Sequence, residues 1–306
     1  MARYKKRKVY NYIFYIVFIL SFFAFLYVSY NENSNAVNLS KDELKGIKIS
    51  YIDVGQADSI LIEINNENML IDAGNNADGK NLVEYLKNEN INSFKYVIGT
   101  HAHEDHIGGL DDIILNFNIE HFYMPNVIST TKTFEDVLDA LEKKQVRFET
   151  PNIGDKYNLG EAIIDIIYVG DESSTNLNNT SIVIKITYKN AKFLFVGDLE
   201  SDMEKLLLNQ DIKCDVLKVG HHGSNTSSSD EFIKKVNPSL GIISVGKNNS
   251  YKHPKQVTLD ILEKYDVKVL RTDELGTIIV TSDGNQINYY NINTNIDGKW
   301  YTWNML

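Results

Sequence analysis

Cysteine is almost absent from this 306-residue chain. The one residue, Cys214, lies in the apolar stretch KCDVLKV. A single thiol excludes an intramolecular disulfide and any cysteine-based metal site, and it reads as a buried structural side chain. No cysteine stands near the N-terminus, which excludes a lipid anchor there. Exact repeats and low-complexity tracts are also missing. Basic charge is scarce beyond the first residues. Residues 1–34 hold Arg3, Lys5, Lys6, Arg7 and Lys8 against Glu32 alone. Residues 35–306 hold 26 basic and 40 acidic residues, a net of −14. Such a surface repels polyanions on average. Apolar residues make up 43% of the chain, enough for a sizeable core, so disorder is not its default state. The length allows one large or two ordinary domains.

The N-terminus differs from the rest. Tyr12 to Tyr30 run nineteen residues without a charge (YIFYIVFILSFFAFLYVSY). That length spans a bilayer, and tyrosines at both ends suit its interfaces. The basic cluster before it predicts a cytoplasmic N-terminus. A cleaved signal peptide is the competing reading, but its apolar region is normally shorter and ends in small residues. The expectation is therefore a basic cytoplasmic segment (1–11), an uncleaved transmembrane anchor (12–30), a polar linker (31–45) and a domain outside the cytoplasmic membrane (46–306).

From Gly46 the pattern turns strand-like: IKISYIDV, DSILIEI and NMLIDAG, with a turn at Asn65–Asn68. Helices are expected over 80–87, 110–117, 134–144, 200–209, 230–236 and 256–265. Strands are expected over 162–169, 181–188, 192–196, 214–220, 240–245, 267–271, 276–281 and 286–291. The domain thus reads as two successive halves, each with strands first and helices after. Two sheets packed face to face with helices outside would bury both.

The chemistry concentrates at residues 101–106, His-Ala-His-Glu-Asp-His. Imidazole and carboxylate are the usual ligands of Zn²⁺ and similar ions. The block follows the apolar run KYVIGT, so it sits where a strand ends and a loop begins. Alternation can point His101 and His103 to one side, and the Gly108-Gly109 turn can bring Asp105 and His106 to a second ion. A histidine-rich surface loop is the bland alternative. Asp72 closes the strand MLIDAG and alone would read as a turn residue. Asp198 follows the apolar run FLFVG and reads either as a site carboxylate or as the N-cap of a helix over 199–208. His221 and His222 end another strand in VGHHGSNTSS. Adjacent rings are expected to diverge, one toward metal and one toward substrate. His253 in SYKHP is balanced between the active site and an ordinary pre-proline loop. His121 fits no motif.

Together, IDVGQADSILIE, HAHEDHIGG, VGDLE, VGHHGSNTSS and SYKHP resemble the metallo-β-lactamase fold superfamily, and within it the domain of ComEC-type competence proteins. The resemblance covers about residues 47–290. It implies a four-layer αββα sandwich and two divalent ions, Zn or Mn. It implies that Asp72 supports the ligands from behind and that Asp198 bridges the metals. His101 and His103 would hold the first ion with Asp198. Asp105, His106 and one of His221 and His222 would hold the second. Many superfamily members carry a further histidine between these blocks. None occurs here between His121 and His221, where the stretch reads Asn178-Asn179-Thr180-Ser181. Asn178, Asn179 or water would complete the first site, and more oxygen among the ligands favours harder ions such as Mn²⁺. Ala57 and Lys252 stand where the ComEC pattern has glycine.

The resulting expectation is a metal-dependent hydrolase with Asp105, His222 and His253 as its catalytic set. A phosphodiester is the favoured substrate, because paired ions clamp phosphoryl oxygens. The resemblance points to DNA. The net charge of −14 over residues 35–306 speaks against DNA, and a cell-wall phosphodiester is the alternative. A non-catalytic binding module that kept the fold is the third reading.

Overall fold

The computed structural model describes residues 46–170, 173–292 and 304–305. The segments 1–11, 12–30 and 31–45, including the expected membrane anchor, lie outside the described residues. Among the described residues no helix is long and apolar enough to cross a membrane.

Strands β1 (Ile47–Tyr51), β2 (Ser59–Ile64) and β3 (Glu67–Ala73) open the domain as an antiparallel meander. Helix α1 (Gly79–Asn88) then crosses to β4 (Ser93–Ile98), which pairs parallel with β3. Two short helices, α2 (Glu104–Ile107) and α3 (Leu110–Asn116), lead to β5 (Asn118–Tyr123). Helix α4 (Lys132–Lys144) precedes the short edge strand β6 (Phe148–Glu149). Thr131 caps α4 by accepting from the Phe134 N–H at 3.3 Å, which satisfies one orphan donor of its first turn.

The second sheet begins with β7 (Lys156–Leu159), β8 (Ala162–Tyr168), β9 (Val183–Tyr188) and β10 (Ala191–Phe195). It continues in parallel through β11 (Val216–Lys218), β12 (Leu240–Ile243) and β13 (Lys268–Arg271). Helices α5 (Ser201–Leu207), α6 (Asp230–Val236) and α7 (Gln256–Lys264) connect them. A one-turn helix α8 (Thr272–Leu275) precedes β14 (Thr277–Ser282) and β15 (Ile287–Ile292).

The hairpin of β14 and β15 departs from the expected order of two successive halves. β14 pairs antiparallel with β1, so the C-terminal hairpin completes the first sheet. The pattern of alternating residues identifies a strand but not its partner, which is set by long-range packing.

Alternation along each strand builds three apolar layers. Ile60, Ile62 and Ile64 face inward and meet Ile184, Ile186 and Phe195 of the other sheet. Tyr51 and Phe195 stack across the interface at 6.2 Å. Leu61 and Leu70 face outward and are covered by Leu82, Leu110 and Val137 from the helices. On the far side Leu194 and Leu217 pack under Phe232 and Leu262. The result is helices, sheet, sheet, helices, the αββα sandwich expected from the motifs. The carboxyl ends of β3, β4, β10, β11 and β12 all open on one edge, where loops can carry polar side chains without disturbing the core.

Candidate metal centre

Each motif residue emerges at that edge. Asp72 ends β3, His101 and His103 follow β4, Asp198 follows β10, and His221 and His222 follow β11. Asp105 and His106 sit on α2 itself, so a single helical turn, not the Gly108-Gly109 pair, carries the chain from His101 and His103 to Asp105 and His106. The glycines have another task. A Cβ on Gly108 would lie 2.2 Å from the Asn76 nitrogen, and one on Gly109 would lie 2.4 Å from the Ala73 oxygen. Only glycine lets α2 approach the loop after β3 so closely. Asp198 is not a helix cap, because α5 starts at Ser201 with Glu200 before it.

Asp198 is the hub. Its Oδ2 lies 3.3 Å from His106 Nε2, 3.6 Å from His221 Nε2, 3.8 Å from His222 Nε2 and 3.9 Å from His101 Nε2. Asp105 Oδ2 lies 3.2 Å from His222 Nε2. Asp105, His106, Asp198 and His222 form one tight group, with a ligand atom of each within 4.8 Å of the others. His101 Nε2 and His103 Nδ1 meet at 3.0 Å beside it.

The expectation that His221 and His222 diverge is corrected by their backbone. Both take left-handed conformations, with φ of 50° and 52°. That turn swings both Nε2 atoms toward Asp198, whereas an extended strand end would splay them. His222 is buried and His221 remains partly open to solvent. His253 stands one ring further out, stacked on His221 with 5.8 Å between centroids.

Groups behind the histidines set their tautomers. His106 Nδ1 donates to Asp72 Oδ2 at 2.8 Å, which leaves Nε2, once an ion displaces its proton, as the lone pair facing Asp198. Asp72 also accepts from the Thr100 N–H at 2.7 Å and the Thr100 hydroxyl at 2.8 Å. Since the Thr100 proton is committed to Asp72, His101 Nδ1 donates to Thr100 Oγ1 at 3.2 Å. His222 Nδ1 donates to the Ser244 carbonyl at 2.9 Å. The Ser181 hydroxyl accepts from the Asp198 N–H at 3.1 Å and fixes the carboxylate's base.

The two asparagines sit on a single turn, Leu177–Thr180, just before β9. The Asn179 amide is engaged, accepting from the Glu200 N–H and donating to Asp202. Asn178 donates to Glu200 Oε1 at 3.1 Å, while its own Oδ1 is buried without a hydrogen-bond partner.

Charge is concentrated here. Burial pulls the His101 imidazole well below its usual range, and the neighbouring His106 adds to this. Burial also opposes a charge on His106, but Asp198, Asp72 and Asp105 outweigh it and hold the group well above the ordinary value. For His222, burial is outweighed by Asp198 and Asp58, which push it up to about 10. Burial favours neutral carboxyls, yet His106 and the other imidazoles hold Asp198 well below the carboxylate range and Asp105 at about 2. The buried Asp198 and the partly buried Asp105 therefore demand positive charge. His106 Nε2 and Asp198 Oδ1 are buried without any hydrogen-bond partner. Such orphaned atoms are rare unless an ion satisfies them, and the N/O set suits a borderline divalent cation.

Asp58 and Lys218 were not singled out from sequence. They pair at 2.8 Å behind His222, with Asp58 Oδ1 3.4 Å from His222 Nδ1. Asp58, Asp72 and His106 also lie close together, but Asp58 is paired with Lys218 and Asp72 accepts three hydrogen bonds from His106 and Thr100. The available signal was a charged residue inside each apolar run, ADSILIEI and VLKV.

Residues 52–247 match the metallo-beta-lactamase superfamily. ComE operon protein 3 of Bacillus subtilis is 32% identical over 251 residues, covering 76% of this chain and 32% of that protein. Competence protein ComA of Neisseria gonorrhoeae is 27% identical over 240 residues, covering 75% of this chain and 31% of that protein. The chain thus spans about a third of the length of these curated relatives. Among solved structures, the metallo-beta-lactamase fold protein YhfI from Bacillus subtilis superimposes with a TM-score of 0.52 at 12% identity, covering 74% of this chain and 96% of that one.

Proposed function

Because the chain belongs to the metallo-beta-lactamase superfamily, we propose that it is a phosphodiester hydrolase that uses two divalent ions and acts outside the cytoplasmic membrane. The observation that carries the reading is the convergence of four imidazole nitrogens on Asp198 Oδ2, with Asp105 alongside. Asp105, His106, Asp198 and His222 would hold one ion. His101, His103 and Asp198 would hold the other, with His221 within reach of the same carboxylate. Zn or Mn suits the mixed nitrogen and oxygen set. Ions bound there would supply an activated water and neutralise charge on the phosphoryl group.

The chain's own side chains do the remaining work. Asp72, Thr100 and Ser244 hold the imidazoles so that no reorganisation is needed when substrate arrives. Water adds across the P–O bond, giving a phosphomonoester and an alcohol. His253, stacked on His221 at the outer side of the cluster, would hydrogen-bond the leaving oxygen. The relatives' names as competence proteins and the ComEC-like motifs favour DNA. The net charge of −14 over residues 35–306 weighs against a long polyanion such as DNA, and a cell-wall phosphodiester is the second reading. Residues 12–30 are the proposed single-pass anchor, with the N-terminus cytoplasmic.

The test is metal analysis of the full chain together with turnover of bis-p-nitrophenyl phosphate, single-stranded DNA, a poly(glycerol phosphate) and a lactam. Hydrolysis of a diester is expected. Turnover of the lactam alone would sink the reading. Topology reporters fused after residue 40 test the placement, and a reporter active only in the cytoplasm overturns it.

A further inference from the structure

A row of rings leads away from the metal centre. His221, whose Nε2 is 3.6 Å from Asp198, stacks on His253 with 5.8 Å between centroids and 28° between planes. His253 in turn lies 5.7 Å from the ring of Tyr251. The row ends at the surface, where Tyr251 is 63% exposed.

The loop between β12 and α7 that carries Tyr251 is pinned from several sides. Asn249 Nδ2 donates to the Gly246 and His253 carbonyls, and its Oδ1 accepts from the His253 N–H. Lys255 Nζ donates to the Tyr251 carbonyl at 2.7 Å, and Gln56 Oε1 accepts from the Gly246 N–H at 3.1 Å. A rigid loop that presents an aromatic face to water is pre-organised for a ligand, since little entropy remains to be lost.

The charge around the loop runs against the rest of the domain. Residues 232–259 contain Lys234, Lys235, Lys247, Lys252 and Lys255 and no aspartate or glutamate. Lys247 and Lys252 are exposed and stand before and after Tyr251 in the sequence of the loop. Lys252 takes a φ of 57°, a left-handed conformation that glycine would adopt freely. A cationic side chain is thus held there at a conformational cost.

We propose that Tyr251, Lys247 and Lys252 form a subsite for a single-stranded polynucleotide that feeds the metal centre, with a base stacked on Tyr251 and phosphates on the lysines. Exposed aromatics flanked by cations bind single strands in this way, because every base has a π-face. In a duplex those faces are already stacked. A sugar- or polyol-phosphate polymer has none, so Tyr251 favours the nucleic-acid branch. The inference rests on the phosphodiesterase reading.

The test uses the full chain stripped of metal, so that binding is read without cleavage. Fluorescence anisotropy compares a labelled oligothymidylate with an abasic oligomer of equal length. Tyr251→Ala is expected to weaken oligothymidylate binding at least about fivefold and leave the abasic oligomer unchanged. Tyr251→Trp should restore binding. Lys247→Ala with Lys252→Ala should weaken both oligomers and flatten the salt dependence. Turnover of methyl p-nitrophenyl phosphate by the metal-loaded wild type tests the underlying reading separately. If that turnover is present but Tyr251→Ala binds oligothymidylate like wild type, the subsite is overturned and the hydrolase stands. If the wild type binds neither oligomer, the subsite is overturned as well. Absence of any diester turnover overturns the reading and the subsite with it.

Discussion

Asp58 and Lys218 form an ion pair of 2.8 Å in which the two side chains are only 2% and 1% exposed. The Asp58 N–H also donates to the Asp105 carbonyl at 3.0 Å, and its carboxylate faces His222. One buried pair therefore braces two loops that carry metal-centre residues. Burial alone would raise the Asp58 pKa, but Lys218 and then His222 overcome this and lower it.

Removing one member of a buried pair leaves the other charge uncompensated. Lys218→Met is expected to destabilise the protein by roughly 3–5 kcal/mol, and Asp58→Asn by a comparable amount. The double variant should cost clearly less than the sum, because neither charge is then stranded. Urea unfolding of the three variants measures this. Additive losses would mean that the two side chains act independently.

Asp72→Asn should reduce metal affinity by about 10–100-fold while the domain stays folded. The carboxylate accepts from His106 Nδ1 and twice from Thr100. An amide can turn its NH₂ toward His106, which would move the ring proton to Nε2 and remove the lone pair facing Asp198. Chelator competition reads the affinity. An unchanged affinity would show that the His106 tautomer is set by something other than Asp72.

Much of this centre is legible in the sequence for a local reason. HAHEDH, VGDLE and VGHHGS each follow an apolar run, and a run that ends in a polar residue marks a strand end wherever it lies in the fold. The helix at 230–236 is equally local, fixed by its apolar face. The mutual placement of His221 and His222 is not, because it depends on two left-handed φ values that an ordinary residue rarely adopts. Nor is the pairing of β14 with β1, whose partners are more than two hundred residues apart. Asp58 and Lys218 stay hidden for a third reason. A lysine in an apolar strand can equally extend its amine to solvent, and only the opposite sheet shows that Lys218 cannot.

Cys214 offers a probe of folding. It is buried against Leu194 and Leu217 in the outer core, and burial pushes its thiol well above the ordinary range. The thiolate is the reactive form, so an aromatic disulfide reagent at pH 8 should label the native protein only as fast as the domain opens. Chelating the bound metal should accelerate labelling, because ions that bind only the folded state stabilise it. Immediate labelling of the metal-loaded protein would place the thiol outside the core.

Asp198→Ala is expected to abolish phosphodiester turnover and to remove at least one metal ion, with the fold intact. The argument is electrostatic. Two divalent cations held close together repel strongly, and a carboxylate between them offsets that repulsion. Asp198 Oδ2 stands within 3.9 Å of four imidazole nitrogens, so its loss leaves Asp105 as the one anionic ligand in the proposed set to hold two dications. The shared water would then lose its activation. The backbone around it should tolerate alanine, because the Asp198 N–H bond to Ser181 does not involve the side chain. His253→Ala should be milder and should lower turnover without changing metal content, since its ring stacks on His221 at the outer side. Metal content per chain and turnover are compared in both variants, with circular dichroism as the folding control. Two ions and near-normal turnover in Asp198→Ala would show that the four imidazoles hold the metals without it, and the proposed bridge would be wrong.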